Sequence, residues 1–448
     1  MKLTTLSAWI IIVTIFGSLL DHSVVAQNSL AGGTVPPEGF ESSFNGEDLS
    51  GWYAVQTQSP RSFDALSQQD QDAAIAEARK TTAEHWRVED GEIVNDGSGP
   101  YLTTEQKFGD YELLIEYKTV AGADSGVYLK GTPQVQIWDS TDESKFDLGA
   151  DKGSGGLWNN SSQSPAKHPL AKADNPFGQW NQLKIRQLGS RTTVYLNGVL
   201  VVDHAVMENR HWGKNSGLPL INRGPIQLQT HGGEIRWRNI FVREIPVEEA
   251  NELLRSKDKE GFASIVKGNT FDGWSGPLEN YELNDGVIKC KPQQGGTIFT
   301  DEEYSDFAVR LEFRLPPGGN NGLAIRYPGE GDTAYVGMCE LQVLDNDYEN
   351  FKGLDDRQYH GSAYGMAAAH QGYLRETGQW NFQEVTVKGS IIKVELNGNV
   401  ILDCDLGDVT EYLDDKPHPG KANKSGHFGL AGHNDPVEFK NLEIKVLK

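Results

Sequence analysis

Two carboxylates stand close together in the stretch CELQVLD, residues 339–345: Glu340 and Asp345. A pair at this separation is equipment for general acid–base chemistry, of which glycosidic cleavage is one use. Leu341 and Val343 alternate with Glu340 and Gln342, so the stretch reads as a strand whose polar face is directed away from a core. Simple parity turns Asp345 inward, and one β-bulge would return it to the polar face. QVQIWD at 134–139 repeats the pattern with Gln134, Gln136 and Asp139, but has no ionisable group where Glu340 stands. The plainer reading of both stretches is the solvated face of an ordinary strand.

Other groups come in matched pairs. Lys130 in YLKG and Arg326 in LAIRY place a cation beside each of these strands, suited to an oxyanion or equally to solvent. His231 in THGG and His433 in GHND precede the last strand of each half, as proton carriers or turn residues. Trp138, Trp158 and Tyr364 offer aromatic faces on which a pyranose ring can stack, with Gln134, Gln136 and Gln342 as hydrogen-bonding neighbours. Trp180 and Trp380, each opening an apolar strand, read as core. The acidic stretch LDNDYENFKGLDD at 344–356 has oxygen ligands for a divalent cation such as Ca²⁺, but not the spacing of any defined calcium loop. No zinc pattern, phosphate-cradling loop or nucleophile elbow is present.

The elements that must position these groups occur twice. GQWNQLKIRQLGSRTTVYLNGVLVVD at 178–203 and GQWNFQEVTVKGSIIKVELNGNVILD at 378–403 agree at 11 of 26 positions, where unrelated segments share about two. GFESSFNGEDLSGW (39–52) answers GFASIVKGNTFDGW (261–274), FGDYELLIEYK answers YSDFAVRLEFR, and RNIFVRE answers KNLEIKV, all in one order. This is a tandem duplication. Tyr111, Leu113, Ile115 and Tyr117 alternate with polar residues, as do Phe307, Val309, Leu311 and Phe313. Asn197-Gly198 and Asn397-Gly398 predict two-residue hairpins. Short alternating runs with Gly-rich turns predict an all-β chain of two antiparallel sandwiches. Helices are expected at 64–80, an insertion confined to the first copy, and at 246–260, a linker opened by Pro and ending in lysines.

Length and charge limit the function. At 448 residues the chain suits two domains. Residues 1–26, with Lys2 ahead of an apolar run and VVA before Gln27, read as a secretory signal peptide, which implies export to the periplasm or outside the cell; a membrane anchor is the alternative. The layout is then 27–36 as N-terminal linker, 37–245 as first domain, 246–260 as helical linker and 261–448 as second domain, with no stable membrane span after cleavage. A net charge of −22 repels phosphate backbones and argues against a nucleic acid partner. Cys290, Cys339 and Cys404 are an odd set, allowing one disulfide at most within a chain.

Taken in order, GF-x-S-x-FNG-x-DLSGW, W-x-VEDG-x-I, FGDYEL-x-x-EY, D-SG-x-YL-x-G, the Q-I-x-D strand, GQWN with LNG, and HGG-x-x-x-x-RNI resemble the 3-keto-disaccharide hydrolase family, also described as 3-keto-α-glucoside 1,2-lyase and 3-keto-2-hydroxy-glucal hydratase. The resemblance covers 39–245 closely and 261–448 more loosely. It implies concanavalin-like jelly rolls with a sugar-binding sheet, and a 3-keto glycoside as substrate. It also implies base-assisted elimination followed by addition of water, needing a base, an acid and a positive group. Glu340, His433 and Arg326 are the candidates in the second domain; Asp139, His231 and Lys130 are those in the first. The E-x-Q-x-x-D order is also similar to the E-x-D-x-x-E strand of laminarinase-type enzymes. Two alternatives stay open: a non-catalytic carbohydrate-binding or surface-interaction protein, and a conventional glycoside hydrolase using Glu340 with Asp345.

Overall fold

The computed structural model describes residues 35–131, 133–209 and 218–448, so the expected signal peptide and most of the linker after it lie outside the described residues. Each repeat is a sandwich of an eight-stranded and a five-stranded antiparallel sheet. In the first repeat the small sheet runs Trp52–Val55, Tyr101–Thr104, Gln227–Leu228, Asp124–Tyr128, Gln134–Trp138. The second repeats that order as Trp274–Ser275, Gly295–Tyr304, Gly426–His433, Asn320–Tyr327, Cys339–Leu344. The fold is the expected pair of jelly rolls.

Alternation decides which side of each strand faces the partner sheet. Leu113, Ile115, Val127, Val135, Ile137, Leu183 and Ile185 meet in the core of the first repeat, and Val309, Leu311, Leu323, Leu341, Val343, Val385 and Leu430 in that of the second. Each contributes roughly 2 kcal/mol by leaving water. The Gln134/Gln136 and Glu340/Gln342 sides are thereby pushed to the outer face of the small sheet. Asn197, Gly198, Asn397 and Gly398 all have φ between +49° and +80°, the backbone that a two-residue hairpin requires.

Trp180 and Trp380 depart from expectation. Both are partly exposed and carry cations on their faces: Arg238 lies 4.0 Å from the Trp180 ring centroid and Lys440 4.2 Å from that of Trp380. Each stands one residue ahead of the first buried side chain that follows it, Asn181 or Asn381, and stacks outside the core.

The helices form at Pro60–Asp64 and Gln68–Thr82, and at Val247–Ser256. Glu248 and Glu249 occupy the first turn of Val247–Ser256 and Arg255 its last, complementing the helix dipole. Ala250 and Leu254 of this helix share a small core with Leu188 and Ile245 of the first repeat and Phe382 of the second. Around it, Ser190 Oγ donates to Asn399 Oδ1 at 2.8 Å, and the buried Glu395 pairs with Arg191 and Lys257. All three cysteines are free thiols, Cys290 and Cys339 buried and Cys404 half-buried. No helix among the described residues is long and apolar enough to cross a membrane.

Candidate functional site

The register of the small sheet places equivalent residues of the two repeats on one grid. In the second repeat Phe299, Gly429, Ala324 and Glu340 lie abreast, the next outward row is Thr297, Ala431, Gly322 and Gln342, and Asn320 pairs with Leu344 beyond. His433 ends the Gly426–His433 strand at the same level as Asn320. From Cys339–Leu344 the Glu340 side chain therefore lies diagonally across the sheet, and its Oε1 meets His433 Nε2 at 2.8 Å. Gly322 makes this path open: a Cβ there would collide with Glu340 Oε1.

This pair forms part of the floor of a cleft of about 340 Å³, with Asn320, Gln342 and Leu344 as its neighbours. Its walls include Asp332 and Tyr335 from the loop after Asn320–Tyr327, Phe351 and Tyr364 from the loop after Cys339–Leu344, and Lys416. Glu340 has a side chain only 4% exposed, whereas His433 is 44% exposed, so the imidazole is the member that faces the cleft. The hydrogen bond that the protonated ring donates to Glu340 raises the pKa of His433, outweighing the opposing effect of burial. The Lys416 ammonium sits 3.5 Å from the Tyr335 ring centroid. His418 hydrogen-bonds the Ala334 carbonyl at 2.8 Å and packs against Tyr335, holding that wall.

In the first repeat the corresponding rows are Thr103, Gln227, Tyr128 and Gln134, then Gln229, Gly126 and Gln136, then Asp124 with Trp138. His231 stands where His433 does, and its Nδ1 lies 3.1 Å from Asp124 Oδ2. Asp124 also accepts from Gln136 at 2.9 Å and from Lys145 at 3.2 Å. Gln134 donates to Gln136 at 2.8 Å and accepts from Asn159. Trp158, partly exposed, meets the buried Trp138 edge to face at 5.9 Å, and Lys167 lies 4.8 Å from its ring centroid.

Four sequence candidates stand elsewhere. The expected bulge is absent: Asp124–Tyr128 pairs with Gln134–Trp138, and Asn320–Tyr327 with Cys339–Leu344, without a register shift. Parity therefore prevails, and Asp139 and Asp345 hold turns. Asp345 accepts from the Gly318 amide at 2.9 Å, and Asp139 from the Gly122 amide at 2.8 Å and from Thr141. Burial works to raise the Asp139 pKa, but the bonds from Thr141 and Gly122 prevail and hold it below the usual range.

Lys130 and Arg326 miss the grid for another reason. Their backbones are left-handed, at φ +52° and +48°, which swings each side chain off the outer face and into the protein. Lys130 Nζ donates to the Gly189 carbonyl at 3.0 Å, and Arg326 Nη1 donates to the Gly389 carbonyl at 2.7 Å while pairing with Asp306. Both are fully enclosed, and burial brings the Lys130 pKa down to about 8. They brace the small sheet against equivalent turns of the large one. The cation of the second cleft is Lys416 instead.

Asp124 was not among the sequence candidates; its alignment with Asn320 in NNG was the available signal. Tyr335 sits on the one-turn helix Thr333–Val336 and Lys416 just after the 3-10 turn Leu413–Asp415, both too short for periodicity, and nothing in the sequence marks them. No group of three or more His, Cys, Asp or Glu side chains among the described residues could hold a metal ion. In the 344–356 stretch Asp345 serves Gly318, Glu349 pairs with Lys352, and Asp355 with Arg357.

The family model described as 3-keto-alpha-glucoside-1,2-lyase-like domain matches residues 39–243 and again 261–445. A protein of Bacteroides thetaiotaomicron named 3-keto-disaccharide hydrolase is 26% identical over 250 residues, spanning 46% of this chain and 86% of its own length. A crystal structure from Parabacteroides distasonis, provisionally named a glycosyl hydrolase, aligns at 24% identity and TM-score 0.38 over 42% of this chain and 99% of its own. The carbohydrate binding module CBM66 of Bacillus subtilis aligns at 14% identity and TM-score 0.22 over 41% and 95%.

Proposed function

The chain belongs, through both of its repeats, to the 3-keto-alpha-glucoside-1,2-lyase-like family, and on that premise we propose that it is a carbohydrate-active enzyme that cleaves 3-keto glycosides in the cleft of its second repeat. The observation that carries this reading is the 2.8 Å contact between His433 and Glu340 on the floor of that cleft. A ketone at C3 acidifies the C2–H bond. His433, the exposed partner, takes that proton, while Glu340 stabilises the imidazolium from beneath. The electron pair forms the C1=C2 bond and expels the glycosidic oxygen, which leaves as an alcohol by taking the proton back from the His433 imidazolium. Water then adds across the double bond, OH to C1 and H to C2, and the net result is hydrolysis.

The enolate oxygen needs a positive neighbour, and Lys416 is the cleft cation able to serve it. Tyr335 and Tyr364 give the sugar ring aromatic walls, and Gln342 gives its hydroxyls an amide. This assignment moves the base from Glu340 to His433 and the cation from Arg326 to Lys416. The apolar run before Gln27 supports export to the periplasm or beyond, and the N-terminal sequence of the secreted protein tests it.

Incubation of the protein with methyl 3-keto-glucoside and with the unoxidised glucoside tests the activity. Transient ultraviolet absorbance of the unsaturated ketone, and free alcohol from the keto substrate alone, are expected. Equal release from both substrates would instead indicate a conventional hydrolase, and release from neither a binding protein.

A further inference from the structure

We propose that Tyr364 is a further catalytic residue of the second cleft: its hydroxyl donates a hydrogen bond to the C3 oxygen of the keto sugar and holds the charge that gathers there, beside Lys416. The substrate is taken from the reading above, whereas the assignment itself rests on the bonding around Tyr364.

The sheet places Tyr364. Its backbone amide donates to the Glu340 carbonyl at 2.9 Å, so the residue stands at the edge of the strand that carries Glu340. The phenol oxygen accepts from Gln358 Nε2 at 3.3 Å. That amide is fixed in its orientation: its oxygen accepts from the Asp355 backbone amide at 3.2 Å, in the capping box that opens the turn Asp356–Gln358. A backbone N–H can only donate, so the oxygen of Gln358 must face Asp355 and its NH2 must face Tyr364. The hydroxyl is therefore met by a donor and has to direct its own proton elsewhere. No acceptor for that proton lies within hydrogen-bonding distance among the described residues, and the side that remains is the cleft, which Tyr364 lines with Gln342, Lys416 and His433. Lys416 is close by: contact with Tyr335 raises its pKa most, and the neighbouring Asp332 and Tyr364 add to the rise.

The first repeat shows what a stacking platform alone requires. Trp158 occupies the place of Tyr364, since Gly155 and Gly156 bond the backbone of Gln136 as Gly361 and Ser362 bond that of Gln342. The indole N–H is spent on the Leu148 carbonyl at 3.0 Å. A ring is thus present in both repeats, and the second alone adds a hydroxyl whose proton a fixed amide turns toward the site. As the C2 proton passes to His433, the electron pair left behind moves toward the C3 carbonyl, and its oxygen gains negative charge before the C1–O bond breaks. A hydrogen bond from a phenol strengthens as that charge grows, whereas stacking does not.

Steady-state kinetics of full-length variants on methyl 3-keto-glucoside test the proposal. Tyr364→Phe keeps the ring and removes the hydroxyl, and is expected to lower kcat by about 10²-fold with a smaller change in KM. Gln358→Glu leaves Tyr364 in place but offers its hydroxyl a carboxylate, which only accepts. The proton then turns away from the cleft, and kcat should fall nearly as far. Gln358→Leu offers no acceptor and should cost no more than about tenfold. A Tyr364→Phe chain as fast as the parent, or equal losses for the two changes at 358, overturns the inference and leaves the proposed function standing. The infrared carbonyl band of C3-labelled methyl 3-keto-glucoside bound to the His433→Ala chain gives a readout without turnover. A band displaced to lower frequency, and returned upward by adding Tyr364→Phe, supports the donor even if the parent chain cleaves no keto sugar, which defeats only the proposed function. A band unmoved by Tyr364→Phe overturns the inference.

Discussion

His433 works against a carboxylate that raises its pKa, so its neutral, proton-accepting form appears only above that raised value. The acid limb of the kcat/KM profile is expected to lie above the ordinary histidine value of about 6.5. Glu340→Gln keeps the shape and removes the charge. It should lower turnover by about 10²-fold and move the acid limb toward lower pH, and a limb that stays in place in a pH–rate series would uncouple the two residues. Gly322 allows a second test at the same point. A methyl at 322 occupies the space of the Glu340 carboxylate, so Gly322→Ala should reduce turnover nearly as much as Glu340→Gln while leaving the unfolding free energy from urea titration within about 1 kcal/mol of the parent's. A steady-state rate equal to the parent's would show that Glu340 reaches His433 by another route.

At the scale of the strand, acid and amide are exchanged between neighbours, Glu340 with Asn320 in the second repeat against Gln134 with Asp124 in the first, which makes a transplant feasible. Asn320→Asp added to Glu340→Gln rebuilds in the second repeat the arrangement of the first, and the double variant is expected to recover at least about tenfold of the rate lost by Glu340→Gln alone. No recovery in a double-mutant cycle would mean that the carboxylate's strand of origin matters as much as its charge. The strands themselves were legible in the sequence, because alternation at Tyr111 to Tyr117 and Phe307 to Phe313 and the Asn-Gly turns are local signals. The pairing of His433 with Glu340 was legible only as two aligned candidates. Lys130 and Arg326 were misplaced because a single left-handed residue reverses parity, and no side-chain type requires that conformation at a lysine or arginine. Asp139 and Asp345 were misplaced for the opposite reason: a bulge was expected and plain parity held.

Across the whole molecule, the two domains expected from the duplication meet in a joint that both share. Ala250 and Leu254 of the linker helix pack with Phe382, and Asn251 donates to Glu312 at 3.0 Å, so this helix covers the second repeat as well as joining it. A chain of 246–448 is expected to be more stable to urea than one of 261–448 by about 2 kcal/mol, from the apolar area of these two side chains; equal midpoints would show that the helix contributes nothing to the second repeat. The hairpin contacts at the joint are one-sided. The first repeat offers Ser190 and Arg191, and the second answers with Asn399 and Glu395. In symmetry terms the joint is heterologous, head to tail, and such contacts form open series unless something ends them. Here the free ends carry different residues at the corresponding places: Tyr195 and Val199 stand exposed for Glu395 and Asn399, and Ile391 is exposed where Arg191 would be needed. The ion pair that fastens the first repeat to the second has no counterpart with which to fasten a third, so the series closes at two without a two-fold axis.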